Sequence, residues 1–274
     1  MPQAFAATIR GRIEYRLEGE GPVVMVLNGG HCSRDTRLSH ERLASEGFSV
    51  LTPSRPGYDS TQDSVGRTAQ DAADAMAALL DALEIRVADV IGISAAGPTA
   101  LAFAQRHPDR LRKLVLESAM ATDWHETTKR WSRIGFGRPA PITWGAVHAA
   151  LRIAPIATLK VMMRGLTSLD VYEVIRRMSQ EDLAFATCMF QTCRASTGFL
   201  NDIDHHIEGL GSITAPALVM YSPNDRTVSP ENSFRVAAEV AGARLYEVDS
   251  DTHLIWIGPA ASDVWLTRLS FLGS

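Results

Sequence analysis

Short apolar runs alternate with helical patterns along this chain, and that rhythm constrains its fold more than any other feature. Val23-Val24-Met25-Val26-Leu27 carries no polar residue on either face. Unbroken apolarity over a strand-length run suits a strand covered on both sides, as in a parallel sheet. Further strands are read at residues 48–52, 87–93, 114–118, 216–221 and 244–248. Helices are read between them. Over residues 68–83, Ala69, Ala72, Ala73, Met76, Leu79, Leu80 and Leu83 recur at helical spacing, with Thr68 as N-cap. Residues 37–46, 95–106, 230–241 and 259–272 are the other helical stretches. Strand and helix in alternation predict an α/β fold, a doubly wound and mostly parallel sheet with right-handed crossovers. Residues 4–9 and 12–17, around Arg10-Gly11, read as an N-terminal hairpin.

The rhythm breaks between residues 121 and 211, where helical patterns continue without a good strand. Gly135, Gly137, Pro139, Pro141, Pro155 and Gly165 frame short helices there, and Trp124, Trp131 and Trp144 enrich it in aromatic surface. The expected organisation is a core domain of residues 1–120 and 212–274 with an inserted helical cap of residues 121–211. A net charge of −4, spread evenly, argues against a nucleic-acid or acidic-membrane partner. The apolar runs fall far short of the ~20 residues of a membrane span. The N-terminus lacks a basic segment followed by a long apolar one, so no signal peptide is expected. Cys32, Cys188 and Cys193 make no disulfide framework and read as buried free thiols in a reducing cytoplasm.

Ile91-Gly92-Ile93-Ser94-Ala95-Ala96-Gly97 is the strongest local chemical signal. A strand enters a serine and a helix leaves it, with small residues on both sides. A sharp strand-to-helix turn needs such residues, because strand and helix pack closely there. The serine hydroxyl is then held above the sheet at a helix N-terminus. Asn28-Gly29-Gly30 ends the first core strand, and two glycines let that backbone turn toward a substrate. Arg55-Pro56-Gly57-Tyr58-Asp59-Ser60-Thr61 follows the next strand.

These segments resemble the α/β-hydrolase family. Gly92-Ile93-Ser94-Ala95-Ala96 is similar to its G-x-S-x-G pentapeptide, with alanine in place of the last glycine. The resemblance covers essentially the whole chain and implies a serine hydrolase needing no metal or cofactor. It assigns Ser94 as nucleophile, with the Gly30 and Ala95 amides as the oxyanion hole. Asn28 replaces a common histidine, and Asn can brace the loop through its side chain. The Arg55 segment is similar to a turn of structural role near the oxyanion loop. His253, after the last strand, is the expected base, and Asp225, after the preceding strand, the acid that orients it. The order Ser94, Asp225, His253 is the family's order. Asp123, after the strand before the cap, is an alternative acid. Gly29, His31, Trp124 and Trp256 are candidate substrate contacts. Asp202, Asp204, His205, His206 and Glu208 are read as a solvated cap edge, and no metal site is expected. His40, His107, His125 and His148 are read as surface or helix-end residues.

A serine at the nucleophile position disfavours dehalogenase and epoxide-hydrolase chemistry, because attack on an alkyl carbon would leave an ether that water does not readily release. Acyl chemistry is therefore expected, on a small-molecule ester or related acyl compound. A lactonase or C–C bond hydrolase, an acyltransferase or perhydrolase, and a non-catalytic binding protein stay open as alternatives, and so does monomer against homodimer.

Overall fold

The computed structural model describes residues 4–137, 139–195 and 197–274. Residues 1–3, which entered the reading of the N-terminus, lie outside the described residues. The chain begins with β1 (Ala4–Thr8), β2 (Gly11–Glu18), β3 (Val23–Leu27) and β4 (Ser49–Pro53). α1 (Ala69–Ala82), β5 (Ala88–Ile93), α2 (Gly97–Arg106) and β6 (Leu111–Glu117) follow. The next helices are α3 (Glu126–Phe136), α4 (Ala140–Ile153), α5 (Pro155–Met163), α6 (Val171–Arg177), α7 (Gln180–Thr192) and α8 (Thr197–Asp202). The alternation then resumes with β7 (Ala217–Tyr221), α9 (Glu231–Glu239), β8 (Arg244–Glu247) and α10 (Ala261–Gly273).

The strands form one eight-stranded sheet in the order β1-β2-β4-β3-β5-β6-β7-β8. β1, β2 and β4 pair antiparallel, and the remaining pairs are parallel. Side chains alternate across the sheet as the pleat requires. Met25, Leu27, Val90 and Leu114 join the core beneath α1, α2 and α9. Val24, Val26, Ile91 and Val115 face the opposite layer, where α10 contributes Val264, Trp265 and Phe271. Burial on both faces is the physical reason these strands read as unbroken apolar runs.

The parallel register has a functional consequence. Leu27 pairs with Gly92, Ile93 with Glu117, Glu117 with Met220, and Tyr221 with Glu247. The strands therefore end at one edge, and the loops after them leave from that edge. The helices from α3 to α8 all fall between β6 and β7, with Trp144, Leu151 and Met189 sharing a core with Leu38 and Trp256.

The helix expected over residues 37–46 is instead a 3₁₀ helix, His40–Glu46. Ser39 before it takes a left-handed φ of 72° and makes no side-chain cap, so no α-helix propagates from residue 37. Helix α2 likewise begins at Gly97, after a 3₁₀ turn, Ser94–Ala96. Of the cysteines expected to be buried, Cys193 is, Cys32 is partly, and Cys188 is exposed.

Two glycines separate a packing requirement from a mere helix cost. A Cβ on Gly97 would lie 2.0 Å from the Met120 carbonyl oxygen. A Cβ on Gly145, exposed within α4, would meet nothing within 4 Å. Gly97→Ala is expected to lower the unfolding free energy by about 1–3 kcal/mol or more, through overpacking. Gly145→Ala is expected to raise it by about 0.5–1 kcal/mol. Urea denaturation of the two variants checks both signs.

Candidate active site

Ser94 sits where β5 meets the turn into α2, with a left-handed φ of 51°. A β-carbon in that region is crowded by its own backbone, so the turn persists only because its surroundings fix it. The Ser94 carbonyl accepts the Met120 N–H at 2.9 Å. A Cβ on Gly92 would lie 2.5 Å from that of Ala100, and Gly97 has the contact with Met120 described above. Ala96, the alanine in place of a glycine, has an ordinary φ of −81° and is fully buried. The glycine requirement thus falls on positions 92 and 97.

His253 Nε2 lies 3.0 Å from Ser94 Oγ, and His253 Nδ1 lies 2.5 Å from Asp225 Oδ2. All three residues are buried. The other Asp225 oxygen accepts the Thr227 and Val228 amides at 2.8 and 2.9 Å. Those bonds aim the carboxylate at the imidazole. With the Nδ1 proton donated to Asp225, Nε2 is left to accept from the serine hydroxyl. The His253 backbone is pinned as well: its N–H donates to the Leu166 carbonyl at 2.7 Å, and its carbonyl accepts from Ser118 Oγ at 3.0 Å. Asp123, the alternative acid, is exposed and lies 2.7 Å from His206 Nδ1 instead.

The loop after β3 lies over this serine. A Cβ on Gly29 would come within 2.9 Å of Ser94 Cβ, and one on Gly30 within 3.2 Å of Ala95 Cβ and 2.8 Å of the Phe199 ring. Asn28 braces the loop, its Nδ2 donating to the Ser33 and Thr36 carbonyls at 2.9 and 3.3 Å. Arg55 Nε donates to the Asn28 carbonyl at 2.8 Å. The Arg55 fork then pairs with Asp202 at 2.5 and 2.7 Å, and Tyr58 donates to the same carboxylate at 2.5 Å. Asp202 and His205, expected on a solvated edge, are therefore buried. Asp202 is an anchor between α8 and the core. Among the described residues, no group of three or more His, Cys, Asp or Glu side chains is arranged to hold a metal.

A cavity of about 300 Å³ opens over Ser94 and His253. The expected contacts Gly29, His31, Trp124 and Trp256 all line it. Trp144 and Phe199 were not singled out as pocket residues, and they line it too. The His31 ring packs at a tilt against Phe199 and Phe136, with centroids 3.8 and 4.2 Å apart. Behind Trp256 lies a second buried charge group. Glu117 accepts from Trp256 Nε1 at 2.5 Å and Arg268 Nε at 2.6 Å, and His40 Nε2 lies 2.9 Å away. Burial alone would raise the Glu117 pKa, but Arg268 and His40 hold it well below the usual carboxylate range. His40, expected at the surface, is buried in this group, and burial lowers its pKa. An acid closing the apolar run Leu114-Val115-Leu116-Glu117 was the available signal, since a charge on a covered strand needs a partner.

The α/β-hydrolase fold family matches residues 22–140 of the chain. An uncharacterised hydrolase of Bacillus subtilis, YcgS, is 30% identical over 272 residues, which cover 96% of each chain. The chain belongs to the α/β-hydrolase fold family. A second relative of this α/β hydrolase, the 2-hydroxy-6-oxo-6-phenylhexa-2,4-dienoate hydrolase of Comamonas testosteroni, is 33% identical over 85% of this chain and 82% of that one. Among solved structures, an α/β-hydrolase fold protein from Nakamurella multipartita superposes with a TM-score of 0.85 at 28% identity, over 98% of each chain. No helix among the described residues of this α/β hydrolase is long and apolar enough to cross a membrane.

The cavity wall makes a pH prediction. Burial drives the His31 pKa down from 6.5 to about 3, with Asp202 opposing. The unfolded chain therefore takes up this proton first as the pH falls. The stability held by keeping His31 neutral is complete above pH 6.5 and is lost as the pH falls toward 3. The steep part has a slope of about 1.4 kcal/mol per pH unit. His31→Phe keeps an aromatic ring that cannot titrate, and should remove about that slope from urea-denaturation stabilities measured from about pH 6 to 4. Parallel acid limbs for the two proteins would contradict it.

Proposed function

We propose that the protein is a serine hydrolase that cleaves a carboxylic ester through an acyl-enzyme. The observation that carries this reading is the hydrogen-bonded chain Asp225–His253–Ser94, ending on a serine that faces the cavity. Ser94 Oγ attacks the substrate carbonyl as His253 Nε2 takes its proton, and Asp225 stabilises the imidazolium that forms. The Gly30 and Ala95 amides hold the oxyanion. His253 then protonates the leaving alkoxide. A water, activated by the same imidazole, releases the acid. Ser94, His253 and water handle every proton and electron pair in these steps.

The cavity wall suggests the kind of acyl group. Its aromatic lining and the depressed His31 pKa describe surroundings that penalise charge. We read the buried portion of the substrate as neutral and apolar, sized to about 300 Å³. Residues 121–211 serve in this reading as the cap over the cavity, and the three free thiols fit a cytoplasmic setting. A second reading, hydrolysis of a carbon–carbon bond next to a ketone, is favoured by the Comamonas relative, whose named substrate is a 6-oxo dienoate. Ser94 attack on that ketone would use the same groups.

The test is hydrolysis of a p-nitrophenyl ester series, from acetate to long acyl chains, beside 2-hydroxy-6-oxo-6-phenylhexa-2,4-dienoate. Ser94→Ala is expected to lower kcat by about 10⁴-fold or more while leaving the circular dichroism spectrum unchanged. Asp225→Asn should cost far more activity than Asp123→Asn, and the reverse ranking would move the orienting acid to Asp123. Turnover of the dienoate but of no ester would select the second reading.

A further inference from the structure

Two thiols that the proposed chemistry leaves unused meet in the cavity wall. Cys32 lies two residues beyond Gly30 on the loop after β3, and Cys193 is the C-cap that follows α7. Both line the cavity. The segments that carry them are bonded to each other on both sides of the pair. The His31 carbonyl accepts the Arg194 and Ala195 amides at 2.9 and 3.3 Å. Thr192 Oγ1 donates to Thr36 Oγ1 at 2.8 Å, and the Arg194 guanidinium bonds Asp35 and Asp59 at 2.7 and 2.6 Å. The Cys193 thiol donates to the Met189 carbonyl at 3.5 Å, and the Cys32 thiol is its electrostatic neighbour.

We propose that Cys32 and Cys193 form a dithiol site that hydrogen peroxide oxidises to a disulfide, tying the Gly30 loop to the C-terminal end of α7. Cys32 is the attacking thiol, because it is only partly buried and Cys193 is enclosed. Interaction with the Cys193 thiol, with help from Arg55 and the Thr36 hydroxyl, pulls the Cys32 thiol below its ordinary range against the effect of burial. The same contact, together with burial, pushes the Cys193 thiol well up. Thiolate is the reactive form, so the two sulfurs are set to different tasks.

The atoms balance without a further reactant. The Cys32 thiolate attacks one peroxide oxygen, the O–O bond breaks, and hydroxide leaves with the Cys32 proton as water. The sulfenic acid on Cys32 is then attacked by Cys193 sulfur. The S–S bond forms, the S–O bond breaks, and the leaving hydroxide takes the Cys193 proton as a second water. Two thiols lose two electrons and one peroxide gains them. A disulfide joins Cα atoms about 4.4–6.8 Å apart, so the new bond holds the two segments at that spacing. The two segments are adjoining parts of the cavity wall, so that stretch of wall is then tied by a covalent bond. The consequence for turnover rests on the ester-hydrolase reading, whereas formation of the disulfide does not.

The experiment uses the full chain carrying Cys188→Ser, a substitution at an exposed position. The reduced protein is treated with hydrogen peroxide, alkylated, digested and analysed by mass spectrometry. The expected result is loss of both alkylation sites, an intact mass lower by two hydrogens, and a linked peptide joining Cys32 to Cys193 that dithiothreitol releases. Adding Cys193→Ser should instead leave a Cys32 sulfenic acid that dimedone captures. The proposal is overturned if both thiols remain alkylatable at a peroxide dose that fully oxidises Cys188 in the wild-type protein. It is also overturned if Cys32 proceeds to the sulfinic acid with no linked peptide. In the oxidised protein, ester hydrolysis should fall and return with dithiothreitol. Unchanged turnover alongside the linked peptide would overturn the coupling to the cavity. If neither form hydrolyses any ester, the functional reading has failed, and the linked peptide still decides the dithiol site.

Discussion

The left-handed turn at Ser94 is the constraint on which the rest of the site depends. A non-glycine residue at a φ of 51° costs about 1–2 kcal/mol relative to ordinary backbone. That cost is offset by contacts that leave the chain no other path. Gly92 lets α2 come within a methyl group's distance of β5, Gly97 lets it close on Met120, and Gly29 lets the loop after β3 settle on the serine. Ser118, at the end of the neighbouring strand, also adopts a positive φ, of 45°, and its hydroxyl holds the His253 carbonyl. Two strained serines on adjacent strands thus fix the two partners of the Ser94–His253 hydrogen bond.

Buried charges anchor the surrounding loops. A buried ion pair is poor evidence of net stability, because desolvation offsets most of its attraction, yet removing one partner costs about 3–5 kcal/mol. The contribution of the pairs here is therefore positional. Arg55 holds the Asn28 carbonyl with one nitrogen and Asp202 with two others, so the loop after β3 and helix α8 share one guanidinium. Phe199, on the same helix, closes over Gly30. Glu117 does the corresponding work on the other side, tying Trp256 to Arg268 of α10.

The sheet and its helices were legible because each signal was local. Residues 23–27 declare a covered strand by themselves, and residues 68–83 declare an amphipathic helix. Ser94, Asp225 and His253 could be placed together because parallel strands deliver their loops to one edge. The anchors were illegible for the opposite reason. Asp202 stands in a polar run that looks solvated, and its partner Arg55 is 147 residues away. His40 looked like a helix-end residue until Glu117, 77 residues on, accounted for its burial. Ser39 broke an expected helix through a backbone angle that the local sequence does not announce. Trp131 is 71% exposed while Trp124 and Trp144 are buried, a division that helical spacing within the segment did not reveal.

The anchors and the cavity together divide charge from substrate. Glu117 and Arg268 lie behind Trp256, and the Arg55–Asp202 pair lies behind the Phe199 and His31 side of the lining. Fixed charges are thus kept one side chain away from the space a ligand would fill. Burial keeps His31 neutral for the same reason. Ser94 and His253 belong to the lining, with Asp225 hydrogen-bonded to His253, and the proposed proton path runs through them beside the 3₁₀ turn that precedes α2 and the Gly30 loop. Negative charge that develops over Ser94 would meet preoriented dipoles in surroundings that screen little. The same charge elsewhere in the cavity would meet aromatic faces. On the proposed hydrolase reading, this wall would confine charge development to one end of the site and leave substrate choice to shape.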